Sequence, residues 1–214
     1  MATSTDRASY DISFTIKNLI EALSSSDDSS RVKAREALIG MGGLAVPFLA
    51  DALKNPNYLV RWETVKALGE IGDPKAAPAL VKALEDDEFD VRWLAAKGLI
   101  EMHVKALRPL LEALRGHGNS VFLREGAHHV LHDLAKGELR RYLAPVLIAL
   151  EDIDSAVQTP IAASHALELL ETFQETQRME DPFLKKFTVP IPSGISWEAR
   201  KRVRRYVRSH EMYR

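Results

Sequence analysis

The stretch AVPFLADALKNPNYLVRWETVKALGEIGD (residues 45–73) is answered almost at once by AAPALVKALEDDEFDVRWLAAKGLIEM (76–102). The match is positional. Pro47, Pro78 and Pro109 are spaced by 31 and 31 residues, Leu53, Leu84 and Leu114 by 31 and 30, and Val60-Arg61-Trp62 returns as Val91-Arg92-Trp93 after 31. Upstream, NLIEAL (18–23) matches FLADAL (48–53), and RVKAREALIGMG (31–42) follows VRWETVKALGEIG (60–72) approximately. Downstream, APVLIAL (144–150) matches APALVKAL (77–84) with one residue fewer, and its proline falls 36 residues after Pro109. Extra residues are therefore expected around Gly116–Ser120 and Lys136–Glu138. Five units result, and a period of this length marks a stack of small structural repeats.

Each unit reads as two helices. Pro47 and Pro78 sit near the start of the first, where a missing N–H costs nothing. Apolar residues then recur at helical spacing, as in Leu80, Val81 and Leu84. A polar turn follows (Lys54–Asn57, Glu85–Glu88, Gly116–Ser120). The second helix carries Val91, Leu94, Ala95, Gly98, Leu99 and Met102 as one stripe. Gly72-Asp73-Pro74 then stops one unit and opens the next. Neither helix can bury its stripe alone, so the units must stack.

The pattern P-x-L-x-x-A-L, then V-R, then A-L-G-x-I-G-D, as it stands in residues 47–73, resembles the HEAT-repeat family, in particular the short bacterial form of the phycobilisome-lyase type. The resemblance covers roughly residues 12–177. It implies an all-α, right-handed α-solenoid of about five HEAT-like helix pairs, with second helices lining a concave face. Such scaffolds mostly bind other proteins, and a few are enzymes. Beyond the repeats the residues themselves predict an extra C-terminal helix, which Ser196 can cap and which begins at Trp197.

Composition bounds the chemistry. The chain is 46% hydrophobic and 28% charged, enough apolar surface for a core. The longest weakly polar stretch, Leu38–Ala50, is broken by Gly40, Gly42, Gly43 and Pro47 and is too short for a membrane span. The polar start MATSTDRASYD has no apolar leader core, which predicts a cytoplasmic protein. There are no cysteines, so thiolate catalysis, zinc–cysteine sites and iron–sulfur clusters are excluded. No Gly-rich phosphate loop or nucleophile elbow is present, and no cofactor is expected.

Charge is uneven. Residues 182–214 hold nine Lys/Arg against two acids, a net +7, which leaves −8 on residues 1–181 because the whole chain is −1. An acidic repeat body repels phosphates and argues against nucleic acid there. After about residue 178 the repeat is lost. The expected organisation is a disordered stretch over 1–11, the solenoid over 12–178, a Pro-containing connector over 179–195 and a basic helix over 196–214. In that helix Ala199, Val203, Tyr206 and Val207 share one side, with Trp197 nearby. Arg200, Lys201, Arg202, Arg204, Arg205 and Arg208 fill the rest. It could cap the last unit, bind an acidic partner, or touch anionic lipid or nucleic acid.

Three groups in the body are candidates for function. Arg31, Arg61, Arg92 and Arg124 stand at the heads of second helices, after turns that often hold acids, and are expected to bridge neighbouring units. Trp62 and Trp93 occupy the same repeat position. Helical spacing puts Trp62, Lys66 and Glu70 on one face, repeated by Trp93, Lys97 and Glu101, away from the apolar stripe. Exposed Trp with a charged border is what a partner-binding strip requires. His128 and His132 are four residues apart and are weak candidates for a metal pair, with no third ligand at corresponding positions. The His-Glu pairs of the di-iron HEAT enzyme deoxyhypusine hydroxylase are absent apart from His210-Glu211, and the strongly basic groove of the HEAT-like DNA glycosylases is absent too. The sequence therefore points to a non-catalytic scaffold or adaptor that holds another protein or peptide segment. The alternatives are a bilin or tetrapyrrole lyase-like protein, a metal-binding HEAT protein, and attachment to nucleic acid or membrane through the tail.

Overall fold

The computed structural model describes the backbone of residues 4–179 and the side chains of residues 11–172. Their regular structure is helical: α1 (Ser4–Ala22), α2 (Asp28–Gly40), α3 (Val46–Ala52), α4 (Tyr58–Ile71), α5 (Ala77–Ala83), α6 (Phe89–Glu101), α7 (Val104–His117), α8 (Val121–Leu134), α9 (Leu139–Leu150) and α10 (Ser155–Met179), with 3-10 turns at Gly42–Leu44 and Pro74–Ala76. Taken two at a time in chain order, these are the helix pairs that the repeat predicts. Helix α1 begins inside the stretch 1–11 expected to lie outside the repeats. The connector expected over 179–195 and the basic helix over 196–214 lie, Met179 apart, outside the described residues.

Contacts divide the chain into two compact units meeting at Ala106 and Leu107. In the first, α4 packs between α2 and α6, so three second helices form one layer, while α3 and α5 lie against α4 and α6. In the second, α9 packs between α8 and α10. The apolar stripes meet as the periodicity requires. Val60, Val65, Leu68, Leu80, Leu84, Val91, Ala95 and Leu99 are 0–1% exposed, and each such Leu contributes about 2 kcal/mol by leaving water. In the second unit Leu110, Leu114, Leu123, Val130, Leu143 and Val146 do the same. Leu94, expected on the stripe, is only half-buried.

Side chains set the helix ends. Asp27 accepts the Ser30 N–H at 2.9 Å, Asn57 the Leu59 N–H at 3.0 Å and Ser120 the Leu123 N–H at 3.3 Å, each satisfying a backbone donor that the helix leaves open. The two hydrogen bonds from Ser30 hold the Asp27 carboxyl below its ordinary pKa. Gly72 ends α4 at φ 63°, where a Cβ would be strained. Pro47 and Pro78 lie in the first turns of α3 and α5. Pro109 and Pro145 depart from this pattern and lie inside α7 and α9. Units two and three have Gly42-Gly43 and Gly72-Asp73-Pro74 just upstream, which force a 3-10 turn and a fresh start. Units four and five also start after a left-handed residue, His103 (φ 52°) and Gly137 (φ 54°), but no 3-10 turn follows it, so α7 and α9 begin within two residues of it and run one turn or more ahead of their prolines.

Candidate functional site

The arginines at the heads of second helices do one local job in four of the five units; α10 has none at its head. Arg31 Nη1 donates to Ser25 O at 2.8 Å, Arg61 to Asn55 O at 2.9 Å, Arg92 to Asp86 O at 2.7 Å and Arg124 to Gly118 O at 2.8 Å. The acceptor is always six residues back, where the first helix or its turn ends with carbonyls in need of a donor. Two arginines also reach the next unit, as expected. Arg61 donates to both oxygens of Asp86, at 2.7 and 3.0 Å. That carboxylate raises the guanidinium pKa above its already high value. Arg31 lies 3.5 Å from Glu63. Arg31 and Arg61 thus hold neighbouring units together, while the bonds of Arg92 and Arg124 given above stay within their own units.

Glu63 was not legible as special. It is 1% exposed and sits between Arg31 and Arg35, pairing with both. A buried carboxylate flanked by two guanidiniums locks α4 onto α2. Because Glu63, Thr64, Ala67 and Leu68 all turn inward, the other side of α4 must face solvent.

That outer side carries Trp62, Lys66 and Glu70. Lys66 Nζ stands 4.2 Å from the centroid of the Trp62 ring, a cation–π contact that leaves Trp62 half-buried. Glu70 Oε1 lies 3.9 Å from Arg35 Nε. On α6, Trp93 is 51% exposed and Lys97 Nζ lies 3.9 Å from Glu101. The six predicted residues thus form two rows on adjacent, directly packed helices.

The rows are longer than the tryptophans alone indicate. Tyr58 and Phe89, four residues before Trp62 and Trp93, are 48% and 65% exposed. Each helix therefore presents aromatic, aromatic, Lys, Glu at steps of four. The signal was available: Tyr58 and Phe89 are 31 residues apart, the repeat period itself. Below them, a shallow cleft between the two turns is lined by Lys54, Asn57, Tyr58, Glu85, Asp87 and Glu88.

The histidines lie elsewhere. His128 Nε2 is 3.0 Å from Glu151 Oε1, tying α8 to the α9–α10 turn, and the His128 and His132 rings stack at 6.1 Å between centroids. Among the described residues no three or more His, Cys, Asp or Glu are grouped to hold a metal ion. None of the helices described is long and apolar enough to cross a membrane.

Residues 16–100 match the family model of HEAT repeats. No curated protein matches the chain. Among solved structures, it is similar to a chain of the CpcE–CpcF complex of phycocyanin lyase from Nostoc sp. PCC7120, at 24% identity over 88% of this chain and 74% of that one, with a TM-score of 0.43. An engineered protein is similar at 17% identity over 90% and 95%, TM-score 0.38. A designed armadillo repeat protein in complex with the peptide (KR)4 is similar at 18% identity over 91% and 98%, TM-score 0.36.

Proposed function

We propose that this chain is a non-catalytic protein-binding scaffold whose contact face is the outer side of α4 and α6. One observation carries the reading. Phe89 and Trp93 are more than half exposed, in line with Tyr58 and Trp62 on the neighbouring helix, while the inner sides of both helices are core. Stacked helices hold such a face in shape before a partner arrives, so little ordering entropy is lost on binding. Aromatic burial supplies affinity, and Lys66, Lys97, Glu70 and Glu101 supply the polar border. The expected partner is a protein or peptide segment in a cytoplasmic setting.

The test is capture from nuclease-treated native lysate by wild type and by the Trp62→Ala/Trp93→Ala variant, with helix content checked. A protein held by wild type and lost from the folded variant supports the reading. Equal capture by both removes this face from consideration, and capture of nothing by either removes the adaptor role.

A further inference from the structure

The end of the second unit carries an apolar line that its own helices leave open. Ile153, in the turn between α9 and α10, is 99% exposed, and Val157 and Ile161 on α10 are 63% and 36% exposed. They are spaced by four. Helix α10 already has a separate core side, since Ala162, Ala163, Ala166, Leu167 and Leu170 are buried. The turn and helix are acidic: residues 151–172 contain Glu151, Asp152, Asp154, Glu168 and Glu171 and no Lys or Arg, and of these Glu171 pairs with Arg108 and Glu151 with His128. An exposed apolar line bordered by charge marks a contact surface.

We propose that the chain's own C-terminal segment, residues 196–208, covers this line. Its sequence, SWEARKRVRRYVR, has the complementary character. Ala199, Val203 and Val207 also step by four, and two ridges of that spacing interdigitate when helices cross. Around them stand Arg200, Lys201, Arg202, Arg204, Arg205 and Arg208 against the single acid Glu198, opposite in sign to the border of the α9–α10 turn. The chain is long enough. Residues 180–195 supply sixteen residues, a reach of up to about 53 Å when extended. Val157 lies 22 residues back along α10 from Met179, about 33 Å of helix. A stack of repeats has an end helix with no further neighbour, and a segment of the same chain closes it without a second molecule. The inference is independent of the α4–α6 face.

The chain has no cysteine, so introduced thiols are the sole ones. In the full chain, Val157→Cys is alkylated with and without Val203→Glu/Val207→Glu, and again with Arg204→Glu/Arg205→Glu. Docking predicts that the intact tail slows alkylation about tenfold, if the docked state is favoured about ten to one, and that both tail variants abolish the protection at unchanged helix content. Val157→Cys/Val203→Cys should then oxidise to an intramolecular disulfide in a monomer. Equal alkylation rates in all three backgrounds would overturn the proposal. So would oxidation to a disulfide-linked dimer in preference to the monomer even when the oxidation is run at high dilution, which assigns the line to a second copy. Phosphatidylserine vesicles that bind the chain through its tail while position 157 stays fully reactive would assign the tail to anionic lipid instead.

Discussion

Gly98 of α6 lies against Gly69 of α4 so closely that a Cβ on Gly98 would stand 3.1 Å from the Gly69 Cα and 3.2 Å from Leu80 Cδ1. The reverse substitution is milder, because a Cβ on Gly69 meets only the Gly98 Cα, at 3.3 Å. This crossing sets how near the two aromatic rows stand. Gly98→Ala should lower unfolding stability by about 1–2 kcal/mol, since overpacking of about 1–3 kcal/mol outweighs the helix-propensity gain of up to about 1 kcal/mol. Gly69→Ala should cost less. Urea denaturation compares the two, and a stabilised Gly98→Ala would show that the helices are free to move apart.

Glu63→Gln should be among the most damaging conservative changes in the first unit. It leaves Arg31 and Arg35, both largely buried, beside a neutral amide. Breaking one partner of a buried ion pair costs about 3 kcal/mol or more. Lys54→Ala, which removes an exposed pair with Asp51 at 2.8 Å, should change stability by less than about 0.5 kcal/mol. Equal thermal shifts for the two variants would count against a structural role for Glu63.

Lysine should fail to replace the capping arginines. It can reach one acceptor, whereas Arg61 serves Asn55 O and both Asp86 oxygens at once. Arg61→Lys should cost about 1–3 kcal/mol, and Arg124→Lys, for which the capping bond to Gly118 O is lost, about 1 kcal/mol. Chemical denaturation monitored by circular dichroism reads both. Lysine variants as stable as wild type would show that charge alone suffices at these positions.

The two tryptophans should separate stability from binding. Trp93→Ala, at a half-exposed site, should leave the melting curve within about 0.5 kcal/mol of wild type. It should weaken partner binding by about 2 kcal/mol, about 30-fold in Kd. Trp62→Ala should lower stability more, because the ring is half-buried and stacked under Lys66. Titration calorimetry with the captured partner and thermal melts check the pair. Unchanged affinity with a collapsed melt for Trp93→Ala would make it a packing residue.

The sequence by itself determined the helix pairs, their order and most of their boundaries. The reason is physical: a unit whose two stripes cannot be buried alone must repeat, and the repeat shows in the positions of Pro47, Pro78, Val60, Val91, Leu53 and Leu84. It also put Trp62, Lys66 and Glu70 on one side of α4, apart from Val60, Val65 and Leu68, but whether that side faces solvent or packs between units was left to the tertiary structure, where Trp93 is 51% exposed. It did not carry the helical interior positions of Pro109 and Pro145, since that depends on whether a 3-10 turn or the helix itself follows the left-handed residue upstream, and not on proline. Only the tertiary structure decided that Glu63, one residue from an outward Trp, is buried between two arginines supplied by α2. Only it decided that Gly69 meets Gly98, which are 29 residues apart and hold different repeat positions. Contacts between neighbouring units depend on how the helices cross, and no period within one helix encodes that angle.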